Sequence, residues 1–327
     1  MRAVVAAGDD TLVVEERPVP EPGPGEVLVR VHGAGINRAD LIQRRGFYPA
    51  PPGVPADIPG MELAGVVERT GPDVTSPAPG TEVFAVVGGG AQAEYAIVPA
   101  VHCATVPAGL DLVSAGGIPE VFVTAHDAMR TRGRLAKGEH VLVHAVGSGV
   151  GTAVVQLAKA FGCTVTGTAR TESKLGDARR LGMDHGIVAP RELEPLAFAG
   201  EIAEHGGAPD VVIDLVGGPY VTAEVAAIAP GGRIVIVGTL AGGMPAVPLL
   251  GLMQKRAEMH GTVLRPRSIA DKAAATDAFV ADVVPLLADG RVRPVVDTVF
   301  PLDAAAEAYA LVEADTTFGK VILDAGA

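Results

Sequence analysis

Tryptophan is absent from this 327-residue chain and tyrosine occurs only four times, so each tyrosine stands out as a candidate for work beyond packing. Cysteine is nearly absent too. Cys103 and Cys163 are the only two, which excludes a disulfide framework and fits a reducing compartment. No run of 18 or more apolar residues occurs, and the apolar stretch in the opening MRAVVAAGDDTL is too short for a signal peptide. The expectation is a soluble cytoplasmic protein with no membrane partner. Basic residues are outnumbered 26 to 38, giving a net charge of -12, and no basic run interrupts that excess. A nucleic-acid partner held by phosphate neutralisation is therefore not expected.

Glycine and proline are plentiful, 42 and 26 residues, about a fifth of the chain and still below the low-complexity range. The length exceeds the usual single core, so two domains are expected. Up to about residue 110, short apolar runs (Val4 to Ala7, Val27 to Val31, Ala64 to Val67, Val83 to Val87, Tyr95 to Val98) alternate with Pro/Gly turns. That spacing predicts an antiparallel, barrel-like β domain. From Asp111 to Leu135 the period turns helical. Beyond it strands and helices alternate, with strands at Val141 to Ala145, Thr164 to Thr168, near Ile187, Val211 to Leu215, Ile234 to Gly238 and His260 to Leu264. Such alternation predicts a doubly wound parallel sheet, hence an α/β protein. A helix over Ala270 to Leu287 and strands at Val295 to Phe300 and Lys320 to Leu323 close the chain. The predicted domains are 1–119 with 291–327, and 120–290.

The most informative stretch is His140 to Gly162, HVLVHAVGSGVGTAVVQLAKAFG. It reads as a strand, a turn carrying Gly147, Ser148, Gly149, Val150 and Gly151, and a helix whose apolar residues stop at Gly162. Glycines there permit a tight turn, a close approach of backbone to pyrophosphate, and close packing of helix on strand. The second strand ends in Gly167-Thr168-Ala169-Arg170-Thr171-Glu172-Ser173-Lys174. Arg170, Ser173 and Lys174 suit a 2′-phosphate, so NADPH is the expected cofactor, the plainer reading of the two cations being a solvated surface pair. Glu172 stands near the position of a ribose-binding acid, or else it opens the following helix.

PGPGEVLVRV, GINRADLIQRRGFYPAPPG, PGMELAGVVERTGPDV, GGGAQAEYAIVP, GIPEVFVTAHDAM, VLVHAVGSGVGTAVVQLAKAFG and FGKVIL, in that order, resemble the medium-chain dehydrogenase/reductase superfamily. Within it they resemble the zinc-free quinone oxidoreductases related to zeta-crystallin. The resemblance implies a GroES-like catalytic domain, a Rossmann cofactor domain with the cofactor between them, and a homodimer. Zinc-dependent relatives carry Cys where this chain has Asn37 and His where it has Met61. His140 and His144 would share a strand face without a third ligand in view, so no metal is expected. Glu62 is expected as a buried polar bridge.

By the same resemblance Asn37 and Asp40 lie beside the cofactor, and Tyr48 lies over the substrate, where it could hydrogen-bond the acceptor oxygen and donate a proton. The alternatives are a helix cap with a first-turn acid for Asn37 and Asp40, and loop packing for Tyr48. Thr124, Gly217, Gly238, Thr239, Leu240, Leu264 and Lys320 are implied cofactor contacts, Lys320 being equally readable as a strand-edge charge. A tyrosine common near the 2′-phosphate of relatives is missing from Met183 to Ala189, which weakens the expected preference for NADPH over NADH. The expected activity is NADPH-dependent reduction of a small quinone or activated enone without zinc. The competing readings are a biosynthetic enoyl or double-bond reductase with a pocket around Tyr48, Phe122 and Leu240, and a non-catalytic nucleotide-binding protein of crystallin-like or RNA-binding kind.

Overall fold

The computed structural model describes residues 1–7 and 10–326. The chain divides into two compact units, 1–123 with 264–327, and 124–263.

The first unit is dominated by a seven-stranded sheet. In spatial order it runs Val296–Pro301, Lys320–Asp324, Glu26–Gly35, Glu62–Thr70, Glu82–Val86 and Cys103–Thr105, and Tyr95–Pro99 also pairs with Glu26–Gly35. Pairing is antiparallel throughout except between Val296–Pro301 and Lys320–Asp324. Arg2–Ala6 and Leu12–Glu16 form a separate hairpin. Inward residues of the long central strand, Val27, Val29 and Val31, pack with Leu63, Val83, Val98 and Tyr309 in one buried cluster. Burying side chains of this size stabilises by about 1.5–3 kcal/mol each before entropy is counted. Glycine is required where a helix lands on this strand: a Cβ on Gly33 would lie 2.2 Å from the carbonyl oxygen of Val113.

The second unit holds a six-stranded parallel sheet in the spatial order His185–Val188, Thr164–Ala169, His140–Val143, Val211–Asp214, Arg233–Ile236 and Glu258–Gly261. In chain order that is third, second, first, fourth, fifth, sixth, the arrangement of a dinucleotide-binding sheet, with its switch between the first and fourth strands. The central strands are fully buried and almost wholly apolar, as a sheet covered on both faces requires. Among the described residues, no helix is long and apolar enough to cross a membrane.

Several sequence expectations shift at their edges. The helix expected over Ala270 to Leu287 is two, Ile269–Asp282 and Val284–Ala288, because Pro285 has no amide to continue the first. The last parallel strand is Glu258–Gly261 rather than His260 to Leu264. The second boundary between the two compact units falls at 263/264. The helix Ile269–Asp282 belongs with the first unit: Phe279 meets Phe84 edge-to-face at 5.7 Å, and His102 Nε2 lies 3.0 Å from the carbonyl oxygen of Ile269. Leu249–Lys255 is a helix with no counterpart among the sequence expectations: Leu249, Leu250 and Met253 face outward and only Leu252 packs on the core, so it lacks a buried stripe.

Candidate functional site

In the first unit the long strand Glu26–Gly35 runs straight into Asn37, which is extended (φ -117°, ψ 152°) and caps the helix Arg38–Arg44. Asp40, in the first turn, accepts from the Asn37 amide at 2.8 Å and from the Gly60 amide at 3.3 Å. The helix-cap reading of this pair therefore holds, and the Asn37 side chain serves further partners. Its Nδ2 donates to Glu62 Oε1 at 2.9 Å, and its Oδ1 accepts from Lys320 Nζ at 2.8 Å.

Glu62 opens the strand Glu62–Thr70 and is fully buried, as the expected polar bridge. Its Oε1 also meets Lys320 Nζ at 2.6 Å, and its Oε2 accepts from the Glu120 amide at 2.9 Å. Gly35 makes room: a Cβ there would stand 2.3 Å from Glu62 Oε1. Lys320 is only 4% exposed and gives its remaining proton to the carbonyl oxygen of Ile36 at 2.7 Å. Its three donors have three acceptors, so this lysine is an interior cation rather than a strand-edge charge.

Burial pushes the Asp40 carboxyl up to about 6, and nearby Glu62 adds to that, while the Asn37 amide, Lys320 and Arg265 oppose it. Glu120 is pushed up to about 8, first by burial and then by Glu62. Burial also raises the Tyr48 phenol, with Arg265 opposing and Glu120 adding. The Tyr48 ring is half-buried, and the Arg265 guanidinium lies 4.8 Å from its centre. Glu120 and Arg265 escaped the sequence reading. Each sits in an apolar frame, Ile118-Pro119-Glu120-Val121 and Val263-Leu264-Arg265, and a charge so placed was the available signal.

In the second unit the turn after His140–Val143 begins at Ala145 (φ 55°) and leads to Ser148, the cap of the helix Gly149–Ala160. Ser148 Oγ accepts from the Gly151 amide at 3.0 Å and donates to the carbonyl oxygen of Ala145 at 2.8 Å. Gly151 is the packing glycine: its Cβ would fall 2.4 Å from that same carbonyl oxygen. Other amides of the first helical turn, Gly149 and Val150 included, have no intrahelical acceptor by the geometry of a helix. A turn of this build accepts a pyrophosphate, so the residues present fit a dinucleotide.

Arg170 directly follows the second strand and is exposed, and Ser173 and Lys174 lie in the first turn of the helix Glu172–Arg180. Glu172 is the first residue of that helix and pairs with Arg179, in keeping with its reading as a helix opener. Gly217 (φ 67°) and Gly238 lie in the loops just beyond the fourth and fifth strands at the same sheet edge, and Thr239 and Leu240 follow Gly238, both exposed. A Cβ on Gly217 would lie 3.0 Å from Thr239 Cα, so these two loops interlock.

Thr124 is a buried residue in the helix Pro119–His126, and Leu264 is buried in the first unit. Phe122, expected in a substrate pocket, is instead 1% exposed and part of the core. His140 and His144 are core histidines: each ring bonds a threonine on the next strand, Thr166 at 2.8 Å and Thr168 at 3.0 Å. Among the described residues no three His, Cys, Asp or Glu side chains are grouped to hold a metal ion.

Residues 23–108 match the family described as the alcohol dehydrogenase GroES-like domain, and residues 149–280 match the zinc-binding dehydrogenase family. The chain is 31% identical to a quinone oxidoreductase of Pseudomonas aeruginosa, over 97% of this chain and 96% of that one. It is 32% identical, over 93% of its own length, to the pikromycin polyketide synthase component PikAII of Streptomyces venezuelae, of which it spans only 8%. The solved quinone oxidoreductase of Thermus thermophilus, described also in complex with NADPH, superposes with a TM-score of 0.84 at 32% identity, covering 99% of this chain and all of that one. Two domain families in this order, and a relative matched end to end, establish the assignment: the chain belongs to the zinc-free quinone oxidoreductase branch of the medium-chain dehydrogenase/reductase superfamily.

Proposed function

We propose that this protein uses NADPH to reduce quinones or similarly activated enones, without zinc. The observation that carries the reading is the filled network around Glu62, in which Lys320 supplies the positive charge and Asn37 and Asp40 are held rigid beside it. NADPH would be held by the amides of the turn Gly147 to Gly151, with its 2′-phosphate on Arg170, Ser173 and Lys174, and bound there it supplies hydride. Thr124, Gly217, Gly238, Thr239, Leu240, Leu264 and Lys320 complete the proposed cofactor contacts. A conjugated acceptor spreads the negative charge that arrives with hydride and so has less need of a Lewis acid than a simple ketone. Tyr48 hydrogen-bonds the acceptor oxygen and donates the proton that completes reduction. A small quinone, rather than a nucleic acid or a membrane lipid, is the partner this implies, and a cytoplasmic homodimer is the form expected to do the work.

The second reading, a dedicated double-bond reductase of a biosynthetic system, is favoured by the likeness to the polyketide synthase component. It shares every cofactor residue and differs in acceptor. NADPH and NADH oxidation by the purified protein, followed with 9,10-phenanthrenequinone, 1,4-benzoquinone and a simple enone with and without a chelator, separates the two. Rapid chelator-insensitive turnover of a quinone with NADPH supports the first. Turnover of the enone alone supports the second, and binding of NADPH without turnover of any of the three removes the first and leaves a dedicated pathway substrate or a non-catalytic role.

A further inference from the structure

Arg265 spends its whole donor fork on one neighbourhood. It is 3% exposed, and its Nε donates to the carbonyl oxygen of Gly88 at 2.8 Å. One terminal nitrogen donates to the carbonyl oxygen of Tyr48 at 2.9 Å, and the other to Gln43 Oε1 at 2.6 Å. These bonds tie together three segments: the helix Arg38–Arg44, the loop carrying Tyr48 and the loop that follows Glu82–Val86. With its plane fixed in this way, the guanidinium lies 4.8 Å from the centre of the Tyr48 ring.

One side chain therefore grips both the backbone and the ring of Tyr48. We propose that Arg265 is a positioning residue for the reduction, holding the Tyr48 ring in one orientation and readying its hydroxyl to give up a proton. The proposal rests on the reading of Tyr48 as the proton donor. A cation over an aromatic face stabilises the phenolate more than the phenol, so Arg265 works against the burial that would otherwise make the hydroxyl a poor acid. The charged groups around the pair act through it: Glu120, from the helix Pro119–His126, opposes loss of the Tyr48 proton, Asp40 and Glu120 favour the charged guanidinium, and Lys272 faces both Glu120 and Arg265. Lysine would substitute only in part, because an ammonium has the charge but neither the flat face that stacks nor the fork that reaches three acceptors at fixed angles.

The test uses full-length protein carrying a ring-fluorinated tyrosine at position 48, whose lower intrinsic pKa brings the titration into a range where the fold holds. Its fluorine resonance is followed against pH in the parent and in Arg265→Met, Arg265→Lys and Arg265→Gln. Removing the cation in Arg265→Met is expected to raise the midpoint by roughly one pH unit. In the otherwise unlabelled enzyme the same change lowers kcat about tenfold, leaves KM for NADPH unmoved, and shifts the high-pH fall of kcat upward with the phenol. Arg265→Lys recovers part of the midpoint and part of kcat. Should Arg265→Met fold poorly, Arg265→Gln, which keeps an amide to serve the Gly88 carbonyl, carries the same measurement. A midpoint that stays put in a neutral variant that still binds NADPH overturns the proposal by itself. A Tyr48→Phe enzyme with undiminished kcat overturns the underlying reading instead, whatever the fluorine resonance does.

Discussion

Tyr48 and Lys320 are the residues on which the functional reading turns, and they fail in different ways when changed. If Tyr48 is the donor, Tyr48→Phe lowers kcat/KM for a quinone by about 10²–10⁴ and leaves NADPH affinity intact, as steady-state kinetics beside a binding titration would show. Lys320→Met is a stability experiment first. It strands the Glu62 carboxylate in a fully buried position and removes three hydrogen bonds, so a loss of roughly 3–5 kcal/mol is expected in urea unfolding. A loss below about 1 kcal/mol would mean that water or a neighbour takes over the ammonium's role. At this scale the sequence was partly legible. The pairing of Asn37 with Asp40 follows from cap chemistry three residues apart, and Glu62 was readable as a bridge. Arg265 reaches Gln43 and Tyr48 from more than two hundred residues away, and nothing local marks such a contact.

The strand–turn–helix element beginning at His140 was legible almost residue by residue, because a tight turn, a cap and a helix stop each leave a local signature. Its most exposed weakness is Gly151. Gly151→Ala pushes a methyl into the Ala145 carbonyl, at 2.4 Å, and against Val146 Cα, at 2.7 Å, so helix and strand must separate. NADPH affinity is expected to fall at least tenfold and the melting temperature with it, in calorimetry on the same sample. Beneath this element lies a buried acid cluster that no local signal announced. Glu224 Oε1 stands 3.1 Å from His144 Nε2, and Asp214 Oδ1 accepts the amides of Val216 and Gly217. Burial holds Glu224 up to about 8 and Asp214 up to about 7, and holds His144 down to about 4.

Those shifts act on the whole molecule through proton linkage. For Glu224 and Asp214 the folded pKa exceeds the unfolded value, so their contribution to stability is full below about pH 4 and lost as pH rises through about 7 to 8. His144 runs the other way: its contribution is present above about 6.5 and lost as pH falls through about 4. Glu224→Gln keeps the shape of the protonated acid, so its melting temperature should match the parent below about pH 4 and exceed it by a margin that grows with pH until about pH 8. Parallel curves across that range would remove the linkage. If NADPH is the cofactor, it is expected to stabilise by mass action, by about 2.7 kcal/mol at a hundred times its Kd, and NADH at equal concentration should give less if Arg170 and Lys174 hold the 2′-phosphate. Identical shifts from the two nucleotides would remove the proposed preference. At this largest scale the alternation of elements announced both architectures. The second crossing was harder to read, because the helix Ile269–Asp282 has the same periodicity whichever sheet it covers, and only long-range packing, Phe279 against Phe84 and His102 against the Ile269 carbonyl, decides the matter.

The network around Glu62 also bears on redesign. Restoring the cysteine and histidine of zinc-dependent relatives at Asn37 and Met61 would supply two ligands but leave a resident monovalent cation in the way. Lys320 Nζ is 2.6 Å from Glu62 Oε1 and 2.8 Å from Asn37 Oδ1, so an incoming divalent ion would meet a fixed ammonium within the same coordination sphere. Exchange of the lysine would have to come first, and every graft of a metal into this scaffold begins with that residue.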